Sequence, residues 1–386
     1  MEIQFDRQDF INAVKWSTEI IDVKNDLATV RMDANDDGTV EFSSVSGEGE
    51  RSITIPATIT DFTDEPLELV AGALKKVPSQ ITSDSVVLTY SDKDRTQLSA
   101  NVGLKLKLPI MSSQDRPLHD ISSMDYVGVI APADLFYVAS RLAVVSDESV
   151  SDSRFRCLDF ETQDDGHIKV VATDGFVFTT RLISYQPDAD KDYEDRQFIL
   201  PSSDIKKMSD ASNASSVDVY VDDASILFSF DDGRTSRINK FLEEFLEYQV
   251  LVYGERENEE SFDVSFEDLK DVVTRLGSWS SASEDNNVYF DVSSDTNEIK
   301  IHNSTNTWDT AIQFVGDISK DYHAVFRFNT LMRTLNTTDA ETLRYRFIQD
   351  PEDVYGYAVI WNQIKNDGTV DDTVYLLSLP VPPNQL

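Results

Sequence analysis

Val170–Arg181, VVATDGFVFTTR, lies near the middle of the chain. A β-rich run, Ile168-Lys169-Val170-Val171-Ala172, leads into Thr173-Asp174-Gly175, and a second run leaves it from Phe176 to Arg181. Asp-Gly between two such runs marks a tight hairpin, because glycine accepts the positive φ that the turn demands. A helix-like segment and a strand come before it. Phe198-Ile199-Leu200-Pro201 and a second short helix follow. That order of elements says more than the hairpin alone.

The same plan occurs three times. Phe5 to Val14, Ile130 to Ala139 and Val264 to Val273 each open with an apolar residue, reach an Asp and continue as a helical apolar stripe. Asp9, Asp134 and Asp268 then read as first-turn acids that complement the helix dipole, not as catalytic groups. A second helix recurs at Leu74-Lys75-Lys76, Ile205-Lys206-Lys207 and Met332-Arg333-Thr334, each followed by an alternating strand. Asp36-Asp37-Gly38, Asp164-Asp165-Gly166, Asp231-Asp232-Gly233 and Asn366-Asp367-Gly368 punctuate the strands as hairpins. The expected fold is α+β: three repeated domains of two short helices on antiparallel sheets, at 1–122, 123–253 and 254–386. Polar stretches at 112–125 and 254–261 separate them.

Composition narrows the function. With 70 acidic against 34 basic residues the net charge is −36, a surface that repels nucleic acid at long range. Taken alone, that charge points to a soluble acidic protein with no nucleic-acid role. No apolar run is long enough to span a bilayer, and MEIQFDRQDF has no secretory pattern. The single cysteine, Cys157, allows no internal disulfide and, among Phe155, Leu158 and Phe160, reads as a small buried apolar group. These features favour the cytoplasm.

Little in the chain suggests an active site. Asp33, Asn35, Asp37 and Gly38 match the start of a calcium loop, but Ser44 stands where its bidentate Glu is needed and the flanks read as strands. His119, His167, His302 and His323 show no metal-ligand spacing. No phosphate loop or nucleophile elbow occurs. We therefore expect no enzyme, no cofactor and no metal.

Ala172-Thr173-Asp174-Gly175, set within three copies of one plan, resembles the central domain of the bacterial β sliding clamp (the DNA polymerase III beta subunit family). The resemblance runs from Met1-Glu2-Ile3-Gln4-Phe5 to Tyr375-Leu376-Leu377-Ser378-Leu379-Pro380. It implies a processivity factor: a head-to-tail homodimer whose six domains form a ring around duplex DNA. An encircling protein needs positive charge only along its hole. In the helix windows 10–18, 69–79, 135–145, 205–208, 269–279 and 328–338 stand Lys15, Lys75, Lys76, Arg141, Lys206, Lys207, Lys270, Arg275 and Arg333, against the single acid Asp271. By the resemblance these nine line the channel and make exchangeable phosphate contacts. Ordinary solubilisation of helix ends would produce the same bias.

The resemblance also implies a groove in which DNA polymerase and clamp loader dock short linear motifs. Position by position it takes in Phe155, Thr173, Gly175, Phe176, Val177, Phe178, Leu246, Val250, Leu251, Leu376, Leu377, Leu379 and Pro380. Phe176-Val177-Phe178 replaces the family's His-Arg-Leu, and Leu246 a common proline, so a more apolar pocket with a different peptide preference is expected. Such departures in so acidic a chain suggest a bacteriophage-encoded version. Leu104 and Leu106, on an alternating strand, and Trp279 are the expected dimer contacts. The alternative reading is an acidic DNA-mimic protein that inhibits a nucleic-acid-binding protein.

Overall fold

The computed structural model describes the chain except residues 22–27, 48, 63–64, 92–93, 112–120, 147–150, 188–195, 209–213, 249–258, 281–285, 306–308, 349–358, 366 and 379–386. One element order occurs three times, with an extra short strand, Thr58–Thr60, in the first copy. The first copy runs β1 (Glu2–Asp6), α1 (Arg7–Thr18), β2 (Thr29–Ala34), β3 (Thr39–Val45), β4 (Gly49–Pro56), β5 (Thr58–Thr60), β6 (Leu67–Val70), α2 (Ala71–Leu74), β7 (Ser85–Ser91), β8 (Asp94–Asn101) and β9 (Lys105–Met111). The second runs β10 (Asp125–Ile130), α3 (Pro132–Tyr137), β11 (Cys157–Thr162), β12 (His167–Thr173), β13 (Val177–Pro187), β14 (Gln197–Pro201), α4 (Ser202–Lys206), β15 (Val217–Val221), β16 (Ser225–Phe230) and β17 (Arg234–Asn239). The third runs β18 (Glu259–Ser265), α5 (Phe266–Ser280), β19 (Asn287–Ser293), β20 (Glu298–His302), β21 (Asp309–Val315), β22 (Tyr322–Arg327), α6 (Phe328–Asn336), β23 (Thr342–Ile348), β24 (Val359–Ile364) and β25 (Val370–Ser378).

Local chemistry explains where these elements begin and end. Asp6 caps α1, its carboxylate accepting from the amides of Gln8 (2.7 Å) and Asp9 (3.3 Å). Asp9, Asp134 and Asp268 all sit in first turns, as the dipole argument requires. Two helices are shorter than the pattern suggested. α2 stops at Leu74, four residues before Pro78, so Lys75 and Lys76 lie in the turn after it. α3 passes into a π-helical turn, Val138–Leu142, which carries Arg141. The supposed calcium loop is the β2–β3 hairpin. Its Asp37 accepts from the amide and hydroxyl of Thr39, and its Asp33 pairs with Arg31 at 2.7 Å.

The contacts divide the chain into two compact units, and the second copy contributes to both. One unit is Met1–Leu135, Tyr185–Asp192 and Asp210–Lys240; the other is Phe136–Ser184, Tyr193–Ser209 and Phe241–Leu386. Within the first unit, β17 pairs antiparallel with β4, from Arg234 opposite Ile53 to Ile238 opposite Gly49. Trp16 closes this seam: its indole N–H donates to the carbonyls of Ser52 (2.9 Å) and Thr235 (3.1 Å). The buried Arg51 guanidinium lies 4.2 Å from the Trp16 ring. Within the second unit, β25 pairs with β13 from Val177 opposite Ser378 to Arg181 opposite Val374. The same rule operates twice: the last strand of one copy joins the sheet of the preceding copy, on the strand that follows its first hairpin.

Each unit has an aromatic core. Phe5, Phe10 and Phe42 meet in the first, with ring centroids 5.4 to 6.0 Å apart. In the second, Phe262 stacks on Tyr345 at 4.8 Å, and Trp361, fully buried, meets Tyr345 edge-on at 4.6 Å. Side chains of this size stabilise a core by roughly 2–3 kcal/mol each when fully buried. Among the described residues no helix is long and apolar enough to cross a membrane.

Candidate partner groove and basic helix faces

The hairpin read from VVATDGFVFTTR is present, with Thr173 opposite Phe178 across β12 and β13. Its turn is held by its own side chains. Thr173 Oγ1 donates to the Val177 carbonyl (2.7 Å) and accepts from the Gly175 amide (3.1 Å). Asp174 accepts from the amides of Phe176 (2.8 Å) and Val177 (2.7 Å). Gly175 has φ +88°, and a Cβ there would stand 3.2 Å from the Phe155 ring. The positive φ calls for glycine, and a Cβ there would also press on the Phe155 ring.

Asp174 is buried, and its carboxylate also accepts from Arg333 of α6. Beside this ion pair opens a cleft of about 390 Å³, lined by Asp174, Phe176, Asn286, Asn287, Arg327, Asn329, Thr330 and Arg333. Phe176 is 49% exposed at its mouth, with the Arg327 guanidinium 5.5 Å from its ring. Asn286, Asn287, Arg327, Asn329 and Thr330 were invisible to sequence reasoning. They lie more than a hundred residues from the turn, and no motif marks them.

The apolar groove residues divide into surface and support. Phe155 and Leu246 are half-buried and Gly175 is exposed. Val177 and Leu376 are core side chains, at 1% and 0% exposure, and so hold the site from behind instead of facing a ligand. Phe178 is also buried, 5.0 Å from the Tyr248 ring, in a cluster with Cys157, Val171, Ile199 and Phe245. Burial pushes the Cys157 thiol up to about 12, so it packs as an inert group. The Tyr248 hydroxyl donates to Glu161 (2.7 Å), which also pairs with Lys169 at 2.6 Å. Beside them, burial pushes the Asp159 carboxyl up to about 7, against a hydrogen bond that Gln197 donates to its Oδ2 (2.8 Å), and Glu161 adds repulsion. Val250, Leu251, Leu379 and Pro380 lie outside the described residues, as does the side chain of Leu377.

The nine basic residues differ in how free they are. Lys15, Lys75 and Lys76 are exposed; Lys15 borders a cleft of about 210 Å³ with Asp9, Asn12, Asp232 and Arg234. Arg275 is exposed but pairs with Asp271 at 2.7 Å. Lys207 pairs with Asp204 at 3.0 Å, and Lys206 is half-buried. Arg141 donates to the Asn336 carbonyl (3.1 Å) at the end of α6, where the Tyr137 hydroxyl donates to the next carbonyl, of Thr337. Burial, and then the Arg141 charge, holds the Lys270 ammonium below its usual range, so these two cations are neighbours. Arg333 and Lys207 are the two whose charge meets a buried carboxylate among the described residues, Asp174 and Asp204.

Leu104 is 43% exposed just before β9, and Leu106 is half-buried within it. The Trp279 side chain lies outside the described residues. Among the described residues Lys105–Pro109 of β9 pair only with β8, and Asp309–Gln313 of β21 pair only with β20. β21 is the third copy's counterpart of β4 and β13, the strands that receive a last strand from another copy. Sequence reasoning missed it, because pairing rules and not residue types give it that place.

No protein-family profile matches the chain, and no curated protein matches it. Solved structures do. The beta subunit of DNA polymerase from Streptococcus pyogenes aligns with a TM-score of 0.81 at 18% identity, covering 99% of this chain and 100% of that one. The chain has the β sliding-clamp fold. The DNA polymerase III subunit beta from Pseudomonas aeruginosa has this clamp fold too, with a TM-score of 0.81 at 13% identity over 99% of this chain and 100% of that one. So does the Helicobacter pylori β clamp bound to a DNA ligase peptide, at 0.79 and 15%, again over 99% and 100%. The α+β clamp fold of antiparallel sheets and few helices thus extends over essentially the whole chain.

Proposed function

We propose that this chain is a DNA sliding clamp. Two copies join head to tail into a six-domain ring around duplex DNA, with no catalytic chemistry of their own, and tether polymerase and clamp loader through the groove beside Thr173-Asp174-Gly175. The domains are 1–122, 123–253 and 254–386, and the place of action is the cytoplasm, wherever the DNA is replicated.

The observation that carries this reading is the strand exchange. β17 sits on β4 and β25 on β13, which leaves β9 without a recipient and β21 without a donor among the described residues. Among the described residues of one chain the two edges stay unpaired. β9 of one copy on β21 of another repeats the rule and removes both open edges. Lys105 and Lys107, exposed on β9, then approach a strand that begins with Asp309. Leu104 and Leu106 lie at this junction.

In the ring, Lys15, Lys75, Lys76, Arg141, Lys206, Lys207, Lys270 and Arg275 supply the channel's phosphate contacts, while Arg333 chiefly holds the groove. A clamp of the same fold is bound to a ligase peptide, which supports reading the apolar surface at Phe155, Phe176 and Leu246 as a peptide site. Electron microscopy with light scattering tests the proposal. An open-centred ring at twice 43.5 kDa is expected. A particle without a hole would overturn it and turn attention to the DNA-mimic reading.

A further inference from the structure

We propose that the cleft beside the turn reads an acidic side chain in the partner peptide: Arg327 pairs with an Asp or Glu carboxylate next to the apolar anchor that packs on Phe176. The inference rests on the partner-groove reading and deepens it.

The argument begins with charge. Arg31, Arg51, Arg154, Arg234, Arg237, Arg275, Arg344 and Arg346 each meet a carboxylate within the chain. That is the expected state where acids outnumber bases 70 to 34. Arg327 differs. It is exposed, lies 5.5 Å from the Phe176 ring, and has no carboxylate partner among the described residues. The one carboxylate among the cleft's described lining residues, Asp174, is occupied by two backbone amides and by Arg333. The remaining lining groups are neutral amides and a hydroxyl, including the exposed Asn329 next to Arg327. Among its described lining residues, a volume of about 390 Å³ therefore carries one surplus positive charge inside a chain of net charge −36.

A guanidinium resting against a ring keeps its in-plane N–H groups for a carboxylate, which it can grip through two parallel bonds. Phe176, 49% exposed, supplies apolar surface beside it. An acid adjoining an apolar side chain fits both. Elsewhere on the peptide an acid meets only the repulsion of the chain's own charge, so the preference is confined to one position.

The test uses the full-length protein and fluorescein-labelled, C-terminally amidated decapeptides with Leu and Phe anchors. Asp is walked through the positions, each peptide matched by its Asn counterpart, and affinity is read by anisotropy at fixed ionic strength. One position is expected to favour Asp over Asn by about five- to tenfold, as a charge-assisted bond at a partly exposed site allows. R327Q, at an exposed position, should bring that ratio to about one, and R327K should keep part of it. Equal binding of Asp and Asn peptides at every position overturns the inference and leaves the groove standing. A preference that survives in R327Q overturns it too. If no peptide of either kind binds, the groove reading fails and takes this inference with it.

Discussion

Arg333 donates to Asp174 across 159 residues of sequence, and the carboxylate it meets is almost fully buried while the guanidinium is about one-third exposed. The bond ties the Thr-Asp-Gly turn to helix α6. An uncompensated buried carboxylate costs several kcal/mol, and exposure of the arginine reduces the loss through hydration. R333A should therefore lower stability by about 2 kcal/mol in urea denaturation. It should also weaken peptide binding, because the turn loses an anchor. Additive effects of R333A and D174N in a double-mutant cycle would show that the pair does not act as a unit.

The exposed lysines and Arg333 should part company in DNA binding. If Lys15, Lys75 and Lys76 touch phosphate, changing each to Ala should reduce the slope of log affinity against log salt by about 0.9. R333A should leave the slope nearly unchanged, since Asp174 already neutralises that charge. Slopes equal to that of the unaltered chain in all three lysine variants would remove the lysines from the channel.

Gly277 of α5 offers a test of sign. Ala for Gly within a helix favours the helix by about 1 kcal/mol. Here the new Cβ would stand 2.0 Å from the Phe328 ring at the start of α6. Overpacking of that kind costs about 1–3 kcal/mol, and the ring has to move. G277A should be destabilising on balance, read from thermal melts. A gain in Tm would mean that Phe328 relaxes freely.

The acid cluster around Asp159 predicts a pH dependence. Its folded carboxyl is pushed up to about 7 by burial, with Glu161, Lys169 and Gln197 facing it. The native state thus holds a proton that the unfolded chain releases near pH 4. Stability from this group is complete below about pH 4 and is lost as pH rises through 7, by at most about 1.4 kcal/mol per pH unit. D159N should flatten that fall between pH 5 and 7 in urea titrations. A constant difference between the two proteins over this range would sink the assignment.

Charge reversal at the free edge of β9 tests ring closure. K105E with K107E places two acids on the edge that the proposed junction would bury, in a chain already of net charge −36. Light scattering should then show monomers at concentrations where the unaltered chain is dimeric. Peptide binding should persist, because the groove lies in another part of the chain.

Much of the architecture was legible in residues close together in sequence. The Asp-Gly hairpins, the first-turn acids Asp9, Asp134 and Asp268 and the three-fold element order each depend on φ preferences, the helix dipole and apolar period, which act over a few residues. The Thr173-Asp174-Gly175 turn carries its own hydrogen bonds, so it could be recognised on the line. Helix length was less legible. Pro78 and the π turn at Val138–Leu142 cut short what the apolar stripe suggested. Tertiary structure alone decided which groove residues face outward: Val177 and Leu376 are as apolar as Phe176, but they lie in strands β13 and β25 with their side chains in the core, while Phe176 sits in the turn. It alone brought Arg333 to Asp174 and Arg327 to Phe176, because ion pairs and ring contacts form between whatever surfaces packing juxtaposes and leave no periodicity behind. The open edges of β9 and β21 belong to the same class: strand pairing satisfies backbone groups, which every residue carries, so only the folded chain could reveal which were left over.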